Sequence, residues 1–339
     1  MDQGTGAHRP INSSFDLTTR YKHLRVVKTV GLDIVFSATD DLLRNRVAIR
    51  KIPHAFKNSE RCQRTYLELK VLKLLRHENI ATLHDVFVSW REDVYLITEH
   101  QGMTPGHFLS SQRLEPRYTK VFFYQILRGL KYLHSAGIVH CELSPSNILI
   151  SQNCELQTTH LEHARIQSED AMPSMLYGGG NQCYHAPETM VGMQEYQPSL
   201  DMWAAGCIFA EIINGFPLFL EECCTNQLYA IIRLLGYLPA NLIDGISTGN
   251  VMRYLKSLPV TQQSQLANHI NTADPQALDL LEHLLDFDPD TRYRANQALL
   301  HDYVSFYHDP TDEPDSEQTW SVLDLDYVEW PVNDWKNLM

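Results

Sequence analysis

The chain of 339 residues lacks three things: a cysteine framework, a membrane-length apolar run, and positive charge to match its negative charge. Its seven cysteines, at positions 62, 141, 154, 183, 207, 223 and 224, include no C-x-x-C pair. An odd, scattered set reads as reduced thiols in a cytosolic or nuclear protein, neither a disulfide frame nor a zinc site. Lys and Arg number 28 against 41 Asp and Glu, a net charge of −13. That balance argues against a nucleic-acid partner and favours basic ones. The greasiest segment, CIFAEIINGFPLFL, is broken by Glu211, Asn214 and Pro217, so no membrane span is expected. The opening MDQGTGAHRP has no basic-then-apolar pattern, and Gly does not follow Met1, so neither secretion nor myristoylation is indicated. A soluble monomer of cytoplasm and nucleus is the expectation.

What is present is an ordinary globular composition, 44% hydrophobic and 20% charged. The β-rich runs RVVKTV, IVFSAT, RVAIRKI and DVYLITEH surround one helical segment, RTYLELKVLKLLRH. In that segment Tyr66, Leu69, Leu72 and Leu75 recur at three-residue steps, one face of a helix. From Leu114 onward the pattern is mostly helical. YTKVFFYQILRGLKYLHSAG is a helix closed by Gly137, which can take a left-handed terminal conformation. SLDMWAAGCIFAEIING is apolar all round, as a helix in a lobe core would be, and stops at Asn214-Gly215. Strands first and helices afterwards predict an α+β fold of two lobes. The acidic stretch HDPTDEPDSEQ (308–318) reads as a solvated connector.

Taken in order, RTYLELKVLKLLRHENI, YQILRGLKYLHSAGIVH, PSNILI, HAPE, MWAAGCIFAEI and YHDPTDEP resemble a eukaryotic protein kinase, and more narrowly a stress-activated MAP kinase of the fungal osmostress type. The resemblance covers residues 21–303. It implies a β-rich N-lobe (21–101) and a helical C-lobe (102–303) carrying a MAP kinase insert. An N-terminal extension (1–20) precedes them, and an acidic docking segment and tail (304–339) follow. Fold alone does not settle activity.

Several catalytic parts depart from the family pattern. Counted back without gaps from VAIR, the three glycine positions of the phosphate loop fall on Lys28, Val30 and Asp33, with Gly31 out of register. Side chains there obstruct close backbone approach to phosphate, and Asp33 adds negative charge. The V-A-I-K lysine, which contacts ATP, is Arg50, a wide planar fork in place of a compact ammonium. Its implied helix partner Glu68 is kept, so an Arg50–Glu68 pair is expected. Lys51 is expected to point to the opposite face of its strand. Thr98 takes the gatekeeper position. The pattern H-R-D-L-K-P-x-N becomes HCELSPSN. His140 and Asn147 survive, Glu142 stands at the base position one methylene longer, and Ser144 replaces the lysine that steadies the transferring group. The metal motif D-F-G reads HLE, with His160 in place of the aspartate. Imidazole is a poor magnesium ligand, so Asn147 and His160 make a thin metal site. His160 and His163 invite a transition-metal reading, although two histidines without further ligands are more often loop residues.

The activation segment SEDAMPSMLYGGGNQCYHAPE holds Ser174 and Tyr177 but no T-x-Y. The arginine that would receive the activating phosphate is Cys141, and His185 replaces the arginine of YRAPE. Structural parts persist: Asp201 matches the residue that braces the catalytic loop, and Glu188 with Arg292 matches a buried ion pair. Asp309, Asp312 and Glu313 match the acidic patch that receives basic docking peptides. The resulting expectation is a degenerate, pseudokinase-like MAP kinase acting by docking to MAP kinase kinases, phosphatases or substrates with basic motifs, with no cofactor required. The alternative is an active proline-directed Ser/Thr kinase using ATP and Mg2+, with Glu142 as base and Arg50 on the phosphates.

Overall fold

A computed structural model describes residues 19–30, 32–99, 114–167, 182–191, 197–221, 223–236, 243, 253–255, 257–258, 265–319 and 332. They fall into two compact units, with the division inside a helix at Tyr66/Leu67. The expected activation-segment residues Ser174 and Tyr177, the 1–18 extension and most of the expected MAP kinase insert lie outside the described residues.

The first unit is built on one antiparallel sheet of five strands: β1 (Tyr21–Val30), β2 (Asp33–Asp40), β3 (Asn45–Ile52), β4 (Leu83–Val88) and β5 (Val94–Glu99). The spatial order is β1-β2-β3-β5-β4. Four of these strands coincide with the β-rich runs of the sequence. β4 was not expected, because His84 and Asp85 interrupt its apolar residues. Its side chains alternate between half-buried and exposed, as on an edge strand with one covered face. Period-two alternation sends Phe36, Ala38, Val47, Ile49, Tyr95 and Ile97 to one side, where they form the unit's apolar cluster. Lys51, one step out of phase with Arg50, pairs with Asp93 at 2.7 Å, as strand geometry requires.

Helix α1 (Ser59–Leu74) occupies the expected segment. Its buried face is Leu67, Glu68, Val71 and Leu72 instead of a strict three-step row; Tyr66 and Leu69 are half-buried. At 3.6 residues per turn a three-step row drifts off the face within two turns, which explains the difference.

The second unit is centred on α2 (Pro116–Ser135) and α3 (Ser199–Asn214). Helix α2 ends as its sequence predicts, with Gly137 at φ 76° donating its N–H to the His134 carbonyl at 2.9 Å. Helix α3 is buried along its whole length and terminates on Gly215 at φ 82°. Phe123 and Phe209 stack across the two helices with centroids 4.2 Å apart. Around them lie α4 (Cys224–Leu235), α5 (Pro275–Leu284) and α6 (Ala295–Leu299). A Cβ on Gly206 would meet Leu285 Cδ2 at 2.9 Å, so α3 and the end of α5 approach more closely than any larger residue permits. Two short hairpins complete the unit: β6 (Ile138–Val139) with β9 (Arg165–Ile166), and β7 (Ile148–Ile150) with β8 (Leu156–Thr158).

The acidic stretch after residue 307 is mostly exposed, as its composition suggests, but it is also tied to α2. Arg128 of α2 donates from Nε to the Asp312 carbonyl at 2.5 Å and pairs through its other nitrogens with Asp312 and Glu78 at 2.9 and 2.8 Å. Lys131 donates to the Glu313 carbonyl, and Ser135 Oγ accepts the Ser316 N–H at 2.8 Å. Two cations spaced three residues apart on one helix face thus hold the segment down, a long-range arrangement that local charge counting misses.

Candidate functional site

In the first unit, β1 and β2 are joined through residues 31 and 32, and the ladder runs through Lys28↔Val35, Thr29↔Ile34 and Val30↔Asp33. The three expected glycine positions are therefore two residues of a paired strand and the first residue of the next. Asp33 is buried, and its carboxylate accepts from Arg50 Nε at 2.9 Å and from a terminal guanidinium nitrogen at 2.6 Å. Arg61 of α1 reaches the second carboxylate oxygen at 3.1 Å. The Asp33 carboxylate thus supplies an oxyanion to Arg50, a charge-assisted arrangement. Lys28 lies nearby on β1; burial, and then the Arg50 charge, push its ammonium down to about 8. Thr98, on β5, pairs in register with Ala48 of β3 and is half-buried. Sequence reasoning placed an anion at Asp33 but missed its partner and that of Arg61. Glu68 belongs to the second unit, where it is buried.

In the second unit, the segment between β6 and β7 carries the expected catalytic-loop residues. Asp201, 1% exposed, accepts the backbone N–H of His140 at 2.7 Å and of Cys141 at 2.9 Å, and its Oδ2 meets His134 Nε2 at 2.9 Å. These bonds hold Cys141 at φ 64°, a left-handed conformation costing a non-glycine residue roughly 1–2 kcal/mol. His140 is completely buried; its Nε2 faces the Thr159 carbonyl at 3.1 Å, and its Nδ1 accepts the Glu142 N–H at 3.3 Å. Burial lowers its affinity for a second proton, so it is a neutral strut. Asn147 donates its side-chain amide to the Glu142 carbonyl at 2.8 Å, and Ser144 shares a hydroxyl contact with Ser146 at 2.8 Å. Glu142 and Ser144 lie on the wall of a groove completed by Tyr184, His185 and Thr189.

The metal-motif positions behave differently from one another. His160 sits in the left-handed region, φ 63° and ψ 60°, with Nδ1 2.8 Å from the Thr159 hydroxyl. That hydroxyl is also 3.0 Å from the Asn147 carbonyl, the acceptor that takes its proton, which leaves His160 Nδ1–H as the donor. His160 and His163 do not pair around an ion, in keeping with the loop reading favoured from the sequence. His163 Nε2 instead faces Glu142 Oε2 at 3.1 Å and Glu162 Oε1 at 3.8 Å. The signal was topological. β6 and β9 pair as Ile138↔Ile166 and Val139↔Arg165, which brings the segment after β6, with Glu142, close to the segment before β9, with Glu162 and His163.

The remaining expected positions divide cleanly. Arg292 grips Glu188 with both terminal nitrogens, at 2.7 and 3.0 Å, and also donates to the carbonyls of Ser199 and Asp286. Asp309 is spent on a local turn, accepting the Thr311 N–H and hydroxyl at 2.9 and 2.7 Å; those bonds draw its carboxyl below the usual range. Asp312 is 60% exposed although paired with Arg128. Glu313 departs from the outward-facing role expected of it. Its side chain is 1% exposed and meets His308 Nδ1 at 2.9 Å and the Asp309 N–H at 3.2 Å, so it organises the turn from within. Asp315 and Glu78, not singled out from the sequence, add exposed carboxylates beside Lys131 and Arg128.

Taken unit by unit, the residues suit magnesium and a nucleotide poorly: His160 of the second unit offers nitrogen where magnesium seeks hard oxygen, and Arg50 of the first already holds a carboxylate. Comparison with known proteins nonetheless gives a clear lineage. The family described as protein kinase domain matches residues 31–304. The mitogen-activated protein kinase sakA of Aspergillus fumigatus is 46% identical over 329 residues, covering 96% of this chain and 88% of the relative. The mitogen-activated protein kinase hog1 of Neosartorya fischeri is similar to the same degree, and the HOG1 protein of Colletotrichum orbiculare is 45% identical, with 90% of that relative covered. The chain belongs to the protein kinase family, on the mitogen-activated branch that includes those fungal proteins.

Proposed function

We propose that this chain serves stress-type MAP kinase signalling as a kinase-fold binding protein whose own phosphoryl transfer is lost or strongly impaired. The observation that carries the reading is the Asp33 carboxylate bound to Arg50 within the first unit. A cation already satisfied by an internal oxyanion has little left to give a polyphosphate, and the oxyanion itself repels one. Binding would then fall to the acidic surface near α2, where Asp312, Asp315 and Glu78 reach solvent, with Glu313 and Asp309 shaping the turn beneath. Basic docking segments of MAP kinase kinases, phosphatases or substrates suit that charge. No helix among the described residues is long and apolar enough to cross a membrane; a cytoplasmic and nuclear monomer is proposed.

The test is thermal melting with ATP, with and without magnesium or manganese. A ligand at a hundred times its Kd stabilises by about 2.7 kcal/mol, so a clear rise in melting temperature with ATP and magnesium would overturn the reading. A second reading keeps activity, and two facts favour it: the catalytic-loop backbone retains its Asp201 brace, and the relatives are named as kinases. Glu142 would be its base, with Arg50 on the phosphates and Asn147 near the metal. ATP-dependent phosphorylation of a proline-directed peptide, abolished by Glu142→Ala, decides for it.

A further inference from the structure

One cluster in the second unit has donor chemistry that docking does not use and that phosphoryl transfer would use only through Glu142. Glu142, Glu162 and His163 each offer one ligand atom, and the three atoms all lie within 4.8 Å of one another. The two distances to the imidazole nitrogen are 3.1 Å from Glu142 and 3.8 Å from Glu162. An ion about 2.1 Å from each donor would set donor pairs about 3.4 Å apart in a tetrahedron and about 3.0 Å apart at right angles. The two separations lie on either side of the tetrahedral value and the third is at most 4.8 Å, so the side chains would close on an ion by shifts of up to about an ångström. One Nε2 faces both carboxylates, which is the geometry of three ligands around a point, unlike a pairwise ion pair.

The supports are rigid. The N–H groups of His140 and Cys141 are fixed on Asp201, the Glu142 carbonyl is held by Asn147, and Thr159 ties the next segment back to the Asn147 carbonyl. Glu162 and His163 share one 3-10 turn, Leu161–His163, so their relative positions are set by a single piece of backbone. The three side chains are about one-fifth exposed, which leaves an entry path and room for water on the remaining coordination positions. An imidazole with two carboxylates suits zinc and its transition-metal neighbours, whereas magnesium seeks hard oxygen donors.

We propose that Glu142, Glu162 and His163 form a site for one divalent transition-metal cation of the zinc class. This site is distinct from a magnesium pair on Asn147 and the metal-motif position, because His160 is turned to Thr159 and takes no part. With the ion bound, Glu142 Oε2 is a ligand and the catalytic loop is clipped to the 161–163 turn. The inference does not rest on the docking reading, and failure of either leaves the other standing.

The experiment is calorimetric titration of the full chain, stripped of metal with a chelator and desalted, against zinc chloride and separately against magnesium chloride. Saturable one-to-one zinc binding is expected, with no saturable response to millimolar magnesium. Glu162→Gln and His163→Gln should each weaken zinc by at least about ten-fold, and the visible bands of the cobalt-substituted protein should disappear in both. Melting without metal, measured on each variant, identifies a folded one to read; Glu142→Gln supplies a third. Absence of saturable zinc binding overturns the site. So does unchanged zinc affinity in the folded variants, which would place the ion on other histidines or on the cysteines.

Discussion

Replacing Asp33 by Asn separates two consequences that a mere surface residue would not have. The carboxylate receives three guanidinium contacts, at 2.9, 2.6 and 3.1 Å, in a setting where the Asp33 and Arg50 side chains are only 11% and 12% exposed. A hydrogen bond to a charged group contributes about 1.5–3 kcal/mol net. Asn keeps the shape and one acceptor oxygen, and residual solvent access discounts the rest, so a loss of about 2 kcal/mol is expected. At about 1.4 °C per kcal/mol for a chain of this length, this lowers the melting temperature by about 3 °C. ATP affinity should move the opposite way. Two like unit charges about 4 Å apart cost about 4 kcal/mol at an effective dielectric constant of 20. Removing one of them therefore raises affinity by up to about a thousand-fold. Differential scanning fluorimetry and a fluorescent-nucleotide titration on the same samples read both effects. A variant that melts with the wild type and binds ATP no better would refute the idea that Asp33 occupies the arginine in place of phosphate.

Docking is expected to depend on exposed charge: Asp312→Asn with Asp315→Asn should weaken a basic docking peptide by about five-fold at low salt, taking less than 1 kcal/mol for each exposed pair. The difference should shrink as ionic strength rises; fluorescence anisotropy at two salt concentrations checks it, and equal binding would remove the acidic surface from the account. Lys28 is predicted to show a pH signature. Its folded value near 8 lies below the ordinary 10.5, so the folded state carries a penalty below pH 8 that fades as pH rises toward 10.5. Lys28→Met should therefore raise the melting temperature at pH 7 and lose that advantage near pH 10; a gain that grows with pH has the wrong sign. Glu188→Gln strands the buried Arg292 charge and should cost about 3–5 kcal/mol in urea unfolding.

Regular elements were legible where the chain's own periodicity carries them. Helices α2 and α3 end on Gly137 and Gly215 because a left-handed residue is needed there, a requirement visible before any fold is known. β4 was hidden because an edge strand needs only every second residue covered, and its intervening His84 and Asp85 read as loop. At the site, Asp201 and His140 bond to backbone groups close by in the fold. What escaped were partnerships between side chains distant in sequence: Asp33 with Arg50 and Arg61, Glu142 with His163, Arg128 with Asp312. No local window contains both members of such a pair. Glu313 was misassigned for the same reason, since an acidic run looks uniformly solvated until one knows which carboxylate the turn folds over.

The pattern of substitution has an energetic logic. Asp201, His140, Glu188 and Arg292 satisfy backbone groups or buried charges, and losing one would strand its partner in the interior at several kcal/mol. A protein only marginally stable cannot carry many such losses, so these residues persist whatever the chain does. Positions 33, 50, 142, 144 and 160 would meet a ligand in a working kinase, and changing them costs stability only if the replacement finds no partner. Asp33, Arg50, Glu142, Ser144 and His160 have each found a polar neighbour within the chain. Within each unit these replacements are thus held by neighbours of their own, which is how a chain can change such positions without stranding a buried group.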